Sequence, residues 1–302
     1  MALPSRRRLR QFAIAILLIL AACIAIFTLN GLVLADRTAP QMKQLAIETA
    51  PSASAPNEVT IVAYNIAKAF VHKGGLSFER HESVESRLRR MAEVIRAEKP
   101  DFVFLSEAIT ECGPCDVNQA EFLAREAGLP YVATGENYNV GLPFFRIVGG
   151  NAVLSRMPLA PVANFDLAGR QPFYITRNNR RTLVVSAEIG GRTVLLASLH
   201  NDSFDMRNNE VQARQILEYL GDRPAIVAGD FNNRPAERSI KLFQESGRFS
   251  GAFDGPPTFF EGKRQERLDY ILAPAGWELV GHRVIAEDAS DHRPLVCRFK
   301  HP

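Results

Sequence analysis

The chain lacks the charge and repeat patterns that would assign it to a simple class. Without the four arginines among its first ten residues, its 36 basic residues fall to 32, against 33 acidic ones. An overall electrostatic footprint for nucleic acid is therefore absent, and any affinity for anions must be local. No internal repeat is present, which excludes a repeat architecture. The 46% hydrophobic content is that of an ordinary globular protein with a large core.

Cysteine is also scarce, with four residues in 302. Cys23 lies in an apolar N-terminal run, and Cys297 lies in a C-terminal strand pattern typical of an inert core thiol. Cys112 and Cys115 enclose a Gly-Pro pair, and we predict a short-loop disulfide between them outside the cytoplasm. The β-α-β pattern of a redox-active pair is missing around them. A zinc site would need two further ligands, which the neighbouring sequence does not suggest.

The N-terminus carries a long apolar run. Arg6, Arg7, Arg8 and Arg10 precede it, and it extends from Phe12 to Ala35 with only two polar interruptions. About 20 apolar residues cross a bilayer core, and arginines before a span hold the N-terminus in the cytoplasm. We therefore predict that residues 1–35 are an uncleaved signal anchor and that the remaining chain is extracytoplasmic.

Three alternatives to the anchor remain open. Val33-Leu34-Ala35 before Asp36 is similar to a signal-peptide cleavage site, which would release a secreted form. Leu20 to Cys23 is similar to a lipobox, although the residues after Cys23 stay apolar, unlike the start of a mature lipoprotein. A buried helix of a soluble protein is the third alternative.

The rest of the chain divides into a linker and one large domain. Residues 36–57 are rich in Pro, Ala, Ser and Thr without a sustained period, which predicts a linker; residues 58–302 form the domain. Apolar runs predict strands at 59–64, 101–106, 151–155, 182–189, 192–199, 225–228, 267–272, 280–286 and 294–299. Helical spacing predicts helices at 83–97, 117–127 and 208–220 and from about 236. Many strands follow one another directly, so we expect mixed, mainly antiparallel sheets with helices outside.

The strand at 225–228 leads into the most informative stretch. Gly229 permits a turn, and Asp230 and Asn232 follow two residues apart, with Phe231 between them. At a strand end this spacing sends both polar side chains to one side of the sheet and Phe231 to the other. Such groups are costly to desolvate unless a cation, a water or a phosphate uses them.

Other polar residues fall at similar positions. Asn65, Glu107, His200, Asp291 and His292 lie at predicted strand ends or in the loops that follow. Oxygen ligands without a thiolate set favour Mg²⁺ or Mn²⁺ over zinc. Two histidines can move protons or stabilise charge near neutral pH, and Asp291 could hold the tautomer of His292. Together these groups can direct water at a phosphorus atom.

These residues carry a resemblance to the endonuclease/exonuclease/phosphatase superfamily of metal-dependent phosphohydrolases. The matching segments occur in the family's order and cover nearly all of residues 58–300. They are 64–65, 105–107, 150–156, 198–200, 229–232, 257–259, 268–271 and 290–294. The resemblance implies a four-layer α/β/β/α sandwich of α+β class, preceded here by the N-terminal transmembrane helix.

The resemblance also implies roles for individual residues. Metal ligands would be Glu107 and Asn65, with Asp291 ligating metal or orienting His292. Asp230 would activate water, while His292 would act as acid/base or stabilise the phosphate. Three further catalytic residues would contact or position the phosphate: His200, Asn232 and Asp269.

The implied activity is Mg²⁺-dependent hydrolysis of a phosphoester by a monomeric phosphodiesterase or nuclease, with Mn²⁺ as an alternative ion. Residues predicted to contact substrate are Asn151, Arg177, Arg180, Arg181, Lys263, Arg264 and Arg267, with Phe144, Phe145 and Phe173 as candidate groove residues. A phosphatase or phospholipase C-like enzyme that acts on phospholipid head groups is the alternative, which an exposed apolar loop at 141–145 would favour. A catalytically inactive binding module is the third hypothesis. The sequence shows no long insertion of the kind used to grip a DNA duplex.

Overall fold

A computed structural model describes residues 5–34, 39–49, 54–55, 57–70, 79–113, 115–142, 144–172 and 179–302. Its helices are α1 (Arg6–Leu29), α2 (His81–Glu98), α3 (Gln119–Ala127), α4 (Met206–Leu220) and α5 (Arg238–Glu245). Its strands are β1 (Gln41–Gln44), β2 (Glu58–Asn65), β3 (Phe102–Cys112), β4 (Tyr131–Leu142), β5 (Phe145–Ser155), β6 (Ala160–Asp166), β7 (Arg181–Ile189), β8 (Arg192–His200), β9 (Ala225–Asp230), β10 (Phe249–Gly251), β11 (Phe259–Glu261), β12 (Arg264–Glu266), β13 (Asp269–Pro274), β14 (Glu278–Val284) and β15 (Leu295–Lys300).

The strands form two large mixed sheets. The first has seven strands in the order β1-β4-β5-β3-β2-β15-β14, and the second has six in the order β10-β13-β9-β8-β7-β6. Among the described strand pairs of these sheets, β2–β3 and β8–β9 run parallel and the others antiparallel. Each parallel pair is joined through a helix, α2 or α4, as a parallel connection requires.

Three apolar layers hold the fold together. One lies between the two sheets and includes Phe104 and Leu196. A second packs α2 and α3 on the seven-stranded sheet, and a third packs α4 and α5 on the six-stranded sheet. The elements therefore stack in four layers: helices, the seven-stranded sheet, the six-stranded sheet, and helices. This arrangement confirms the predicted four-layer sandwich.

The N-terminal helix matches the apolar run. It continues from α1 into one turn of π-helix at Asn30–Leu34. The helical segment Arg6–Leu32 is long and apolar enough to cross a membrane. In its most apolar stretch of 18 residues, no residue is buried in the protein. A membrane anchor and a signal sequence share this length and composition.

The predicted linker is structured in part. Gln41–Gln44 forms β1, which pairs antiparallel with β4 at the edge of the seven-stranded sheet, and Leu45 is buried in the core beneath α2 and α3. The prediction of a linker throughout 36–57 is therefore wrong for these residues. All four residues of β1 are exposed, so the strand leaves no alternating pattern in the sequence.

The predicted disulfide is not formed. Cys112 and Cys115 are buried free thiols, and Cys115 Sγ donates to the carbonyl oxygen of Glu79 at 3.4 Å. Burial raises the pKa of Cys115 to about 12, with Cys112 adding to the effect, so the thiol is protonated and unreactive at neutral pH.

Candidate active site

The two parallel strand pairs bring their carboxyl ends together. Asn65 ends β2 and His200 ends β8, while Asp230 ends β9 beside His200 in register. Glu107 lies in β3 at a bulge against β5, with φ of 56°. A bulge redirects one side chain without ending the strand, and here it turns Glu107 toward the other three. The site therefore lies where strands of both sheets end.

Asp230 is the centre of the cluster. It is 1% exposed, and its Oδ2 accepts a hydrogen bond from Asn65 Nδ2 at 3.0 Å. The same oxygen lies 3.5 Å from Nε2 of His200 and 3.7 Å from Nε2 of His292. Burial raises the pKa of Asp230 above the ordinary value of an aspartate. A carboxylate with a raised pKa is a better proton acceptor near neutral pH.

Asp269 orients His292. It is opposite Asp230 in the pairing of β13 with β9, and its Oδ2 lies 2.8 Å from His292 Nδ1. Burial alone would lower the pKa of His292, but the carboxylates of Asp269 and Asp230 outweigh it and raise that pKa above its ordinary value. His292 is therefore an imidazolium at neutral pH. Asp291, which the sequence suggested as its tautomer-holding partner, instead accepts from Ser290 Oγ.

His200 is a neutral imidazole with a defined tautomer. Arg180 Nη1 lies 2.8 Å from His200 Nδ1. Because a guanidinium can only donate, Nδ1 is an acceptor and the ring proton lies on Nε2. Burial and the charge of Arg180 hold the pKa of His200 well below its ordinary value. His200 therefore presents an Nε2–H donor toward Asp230 and Glu107.

Glu107 is held ionised by a lysine. Burial would raise the pKa of Glu107, but the ammonium of Lys68 forms an ion pair with its Oε2 and lowers that pKa well below the ordinary range. Lys68 reaches it from a turn in which Ala67, Lys68 and Ala69 all have positive φ. Such backbone conformations are costly for residues with a Cβ and persist only where surrounding contacts enforce them.

Asn232 reaches the cavity through a turn. Its backbone N–H donates to Asp230 Oδ1 at 2.9 Å, and its φ is 50°. Its Nδ2 donates to the carbonyl oxygen of Asn201 at 3.0 Å. Phe231 points the opposite way and packs edge-on against Phe243 in the outer core. The predicted separation of the two polar residues from Phe231 is present.

A single open cavity of about 940 Å³ contains this cluster. Its polar centre is lined by Lys68, Glu107, Arg180, His200, Asp230, Asn232, Asp291 and His292. The surrounding walls include Asn137, Tyr138, Ser203, Phe204, Met206, Arg234, Glu237, Phe259, Glu261, Arg264 and Glu266.

Three residues predicted to bind substrate lie elsewhere. Arg181 is 2% exposed and donates to Asp166 and to the carbonyl oxygen of Glu136. Arg267 donates to the carbonyl oxygens of Ala252 and Pro256. The buried Asn151 donates to the carbonyl oxygens of Arg181 and Ser198.

These three side chains form hydrogen bonds that link neighbouring loops and strands. None of them lines the cavity. Of the other predicted contacts, Arg180 and Arg264 line the cavity, whereas Lys263, Phe144 and Phe145 are exposed and do not line it. Arg177 and Phe173 lie outside the described residues.

The donor set fits a hard divalent cation. The residues that line the cavity include the carboxylates of Glu107, Asp230 and Asp291 and no cysteine, as Mg²⁺ and Mn²⁺ prefer. Ligand atoms of Asp230, Asp269 and His292 also lie within 4.8 Å of one another. In this second group His292 is already paired with Asp269 through Nδ1, at 2.8 Å. Asn65 uses its Oδ1 to accept from Ala67 N–H at 3.0 Å, whereas Glu107 and Asp291 both line the cavity.

The chain belongs to the endonuclease/exonuclease/phosphatase family, whose model matches residues 62–292. Members of this family are generally dependent on divalent metal and hydrolyse phosphoric esters. A UPF0294 protein of Vibrio cholerae is 32% identical to it over 121 residues. That match covers 36% of this chain and 41% of the Vibrio protein, so the chain spans less than half the length of this relative.

Solved structures share the fold. An endonuclease/exonuclease/phosphatase of Beutenbergia cavernae superposes with a TM-score of 0.61 at 20% identity, covering 81% of this chain and 72% of that one. D. rerio TDP2, complexed with a single-strand DNA product, has a TM-score of 0.57 at 16% identity, covering 80% and 99%. The mannosyl-6-phosphatase Bt3783 of Bacteroides thetaiotaomicron has a TM-score of 0.58 at 14% identity, covering 80% and 99%.

Proposed function

We propose that the chain is a Mg²⁺-dependent phosphodiesterase that acts outside the cytoplasmic membrane, held there by α1. One observation carries the proposed reaction. Oδ2 of Asp230 lies between Nε2 of neutral His200, at 3.5 Å, and Nε2 of protonated His292, at 3.7 Å, inside an open cavity. A proton acceptor and two hydrogen-bond donors thus face the same space, as attack of water on a phosphoryl group requires.

The chain's own residues divide the reaction among them. Asp230 accepts a proton from the attacking water, and Asn65 fixes the orientation of that carboxylate. His292, held by Asp269, donates Nε2–H to the phosphoryl oxygens as negative charge develops. His200 donates its Nε2–H from the other side. Fixed donors of this kind stabilise the transition state without reorganising.

Glu107 and Asp291 would hold the cation. A bound Mg²⁺ supplies Lewis-acid polarisation of phosphoryl oxygens. Lys68 and Arg180 add positive charge beside Glu107 and His200 and are suited to binding the phosphate of the substrate.

The rim of the cavity favours a small phosphodiester over a long nucleic acid. Arg234 is paired with Glu237 at 2.7 Å and Arg264 with Glu266 at 2.6 Å. Their positive charges are therefore largely matched at the surface. A protein that follows a nucleic-acid backbone needs a continuous basic groove, and these rim residues do not form one.

The test is a substrate panel with the purified full chain and Mg²⁺. Bis-p-nitrophenyl phosphate, p-nitrophenyl phosphate, single-stranded DNA, RNA and phospholipid vesicles would be compared with and without chelator. We expect the fastest turnover on diesters, loss of turnover with chelator, and a rate about 10²–10⁴-fold lower for Asp230→Asn. Asp222→Asn, at an exposed position before the same strand, is the matched control.

Faster turnover of monoesters than of diesters would overturn the diester assignment in favour of a phosphatase. Absence of chelator-sensitive turnover on every substrate would overturn the enzyme mechanism itself. Lipid phosphodiesters are the second candidate substrate class, because Phe144 and Phe145 are exposed and follow Gly141, whose carbonyl oxygen accepts from Asn30 at the end of α1.

A further inference from the structure

The end of the N-terminal helix is built into the catalytic domain. Asn30, directly after α1, is fully buried. Its Nδ2 donates to the carbonyl oxygen of Gly141 at 3.1 Å and to Oδ1 of Asn139 at 3.4 Å. Both partners lie at the end of β4. The domain is therefore in direct contact with the end of the helix, as well as joined to it by the chain.

This contact fixes where a bilayer would lie relative to the domain. About 20 helical residues cross a hydrocarbon core of about 30 Å, which takes the span from Gln11 to Asn30. β4 packs against α1 itself, and Phe27 and Thr28 are half-buried near the end of that helix. Gly31 lines a small pocket with Glu136 and Asn139, whereas Asn30 before it reaches on to Gly141. β4 therefore runs from beside Gly31 back toward α1, so its end lies on the bilayer side of Gly31.

The tip of the hairpin between β4 and β5 is apolar and exposed. Phe144 is 78% exposed and Phe145 is 52% exposed. The ring of Phe145 lies over Gly113, where an added Cβ would be only 2.8 Å from it. Single exposed apolar residues are ordinary, but two adjacent phenylalanines beside a membrane helix are suited to the boundary between headgroups and acyl chains.

We propose that Phe144 and Phe145 insert into the bilayer beside α1 and form a second membrane contact of the domain. The proposal requires α1 to remain as a membrane span. Two contacts prevent the domain from rotating about the helix. β4 also contributes Asn137 and Tyr138 to the cavity, and Tyr138 is six residues from Phe144, or about 20 Å along a strand. The cavity is thereby held within reach of phosphoesters at the membrane surface.

Fluorescence of a tryptophan at the tip tests this contact directly. The chain has one tryptophan, Trp277, which is 8% exposed. Phe144→Trp would be made in a Trp277→Phe background, and also with Trp277 retained and its signal subtracted, in case the background variant does not fold. The full chain would be reconstituted in phosphatidylcholine–phosphatidylglycerol vesicles with and without brominated lipid.

The control is Val280→Trp. Val280 is 48% exposed on β14, at the opposite edge of the seven-stranded sheet from β1 and β4. We expect Phe144→Trp to emit at shorter wavelength and to lose roughly half of its emission with brominated lipid, while Val280→Trp is unaffected. Equal, weak quenching of both variants would overturn the proposal, as would failure of the full chain to float with vesicles.

A second measurement separates this proposal from the proposed enzymatic reaction. Phe144→Asp with Phe145→Asp should slow hydrolysis of a vesicle-borne phosphodiester about tenfold or more and leave hydrolysis of soluble bis-p-nitrophenyl phosphate unchanged. An equal effect on both substrates would contradict a membrane role. If neither substrate is hydrolysed, the proposed function fails, while the quenching result still decides the membrane contact.

Discussion

Two imidazoles face one carboxylate oxygen of Asp230, and they differ in charge. His292 lies between Asp269 and Asp230, and their negative charges keep it protonated. His200 lies beside Arg180, and burial with that positive charge keeps it neutral. Neighbours thus give the same side-chain type two roles: a charged stabiliser of the phosphate and a neutral hydrogen-bond donor.

Replacing Asp269 with asparagine tests the charged member of this pair. Asn has the same shape, but it carries no charge and its amide can donate to His292 Nδ1, which would favour a neutral ring over the imidazolium. We expect kcat to fall about 10²–10⁴-fold with little change in KM, as for other carboxylate–histidine pairs. Asp269→Asn combined with His292→Asn should be no slower than His292→Asn alone, because the two act as one unit. Additive losses in that cycle would contradict the pairing.

The sequence located much of the candidate site but not its internal partners. Strand-end positions pointed to Glu107, His200, Asp230 and His292, since a sheet collects residues at the ends of neighbouring strands. The partner of His292 could not be found in this way: Asp291 adjoins it in sequence, yet the register of β13 with β9 brings in Asp269. The sequence also gives no sign of whether a basic side chain faces the cavity or, like those of Arg181 and Arg267, donates to backbone carbonyl oxygens of other residues.

Lys68 is a residue of the candidate site that the sequence did not predict. Its ion pair with Glu107 depends on the left-handed turn that follows β2. That turn is held by tertiary contacts, including a hydrogen bond from Gln119 Nε2 to the carbonyl oxygen of Lys68 at 2.6 Å. Local sequence does not specify such a contact. Strained backbone beside ion pairs in a cavity is instead a structural sign of a functional site.

At the scale of elements, the pairing of β9 with β8 depends on Gly229. Gly229 has φ of 135°, and a Cβ there would lie 2.1 Å from the carbonyl oxygen of Leu199. Only glycine permits this approach. The register between His200 and Asp230 follows from the same pairing, so the glycine supports the distance between the base and its neighbouring imidazole.

Gly229→Ala should therefore destabilise the protein by more than about 3 kcal/mol, because φ and backbone contact are both violated. Gly247→Ala is the matched control: its φ is 65°, and an added Cβ would meet nothing within 4 Å, so about 1 kcal/mol is expected. Urea unfolding of the two variants followed by circular dichroism measures the difference. Equal losses would show that the approach of β8 does not constrain this position.

Strands with apolar runs were found from the sequence, and those without them were missed. β4 contains Gly135, Asn137, Asn139 and Gly141, residues that are poor strand formers. Its extended form follows from pairing along nearly all of β5 and from burial of its asparagines against the domain. β1 has no buried residue, and β6 is mostly exposed. β3 was predicted to end at Glu107, but it passes through the bulge to Cys112.

At the scale of the whole molecule, charge is arranged locally. The chain has a net charge of +3, and four arginines lie at the N-terminal side of α1. The remainder is nearly neutral, with Lys68 and Arg180 beside the carboxylates of Glu107 and Asp230 in the cavity and matched ion pairs at its rim. Such a surface is suited to a single phosphate group.

Binding of single-stranded DNA should therefore depend only weakly on salt. We expect the affinity of Asp230→Asn for a 20-nucleotide strand to fall at most about tenfold between 50 and 200 mM NaCl, since one or two phosphates would be neutralised. Fluorescence anisotropy of labelled DNA measures this change. A loss of about 10³-fold or more would instead indicate a groove that contacts many phosphates, and would support a nuclease.

The proposal that water activated by Asp230 attacks phosphorus is tested most directly by finding which product contains the oxygen atom from water. Bis-p-nitrophenyl phosphate would be hydrolysed in ¹⁸O-labelled water with Mg²⁺, and the monoester product analysed by mass spectrometry. If water activated by Asp230 attacks phosphorus, one ¹⁸O enters the phosphoryl group of the product, and Asp230→Asn forms this product about 10²–10⁴-fold more slowly. Absence of the label from the phosphoryl group, or labelled product at the wild-type rate from Asp230→Asn, would contradict the proposed role of this site.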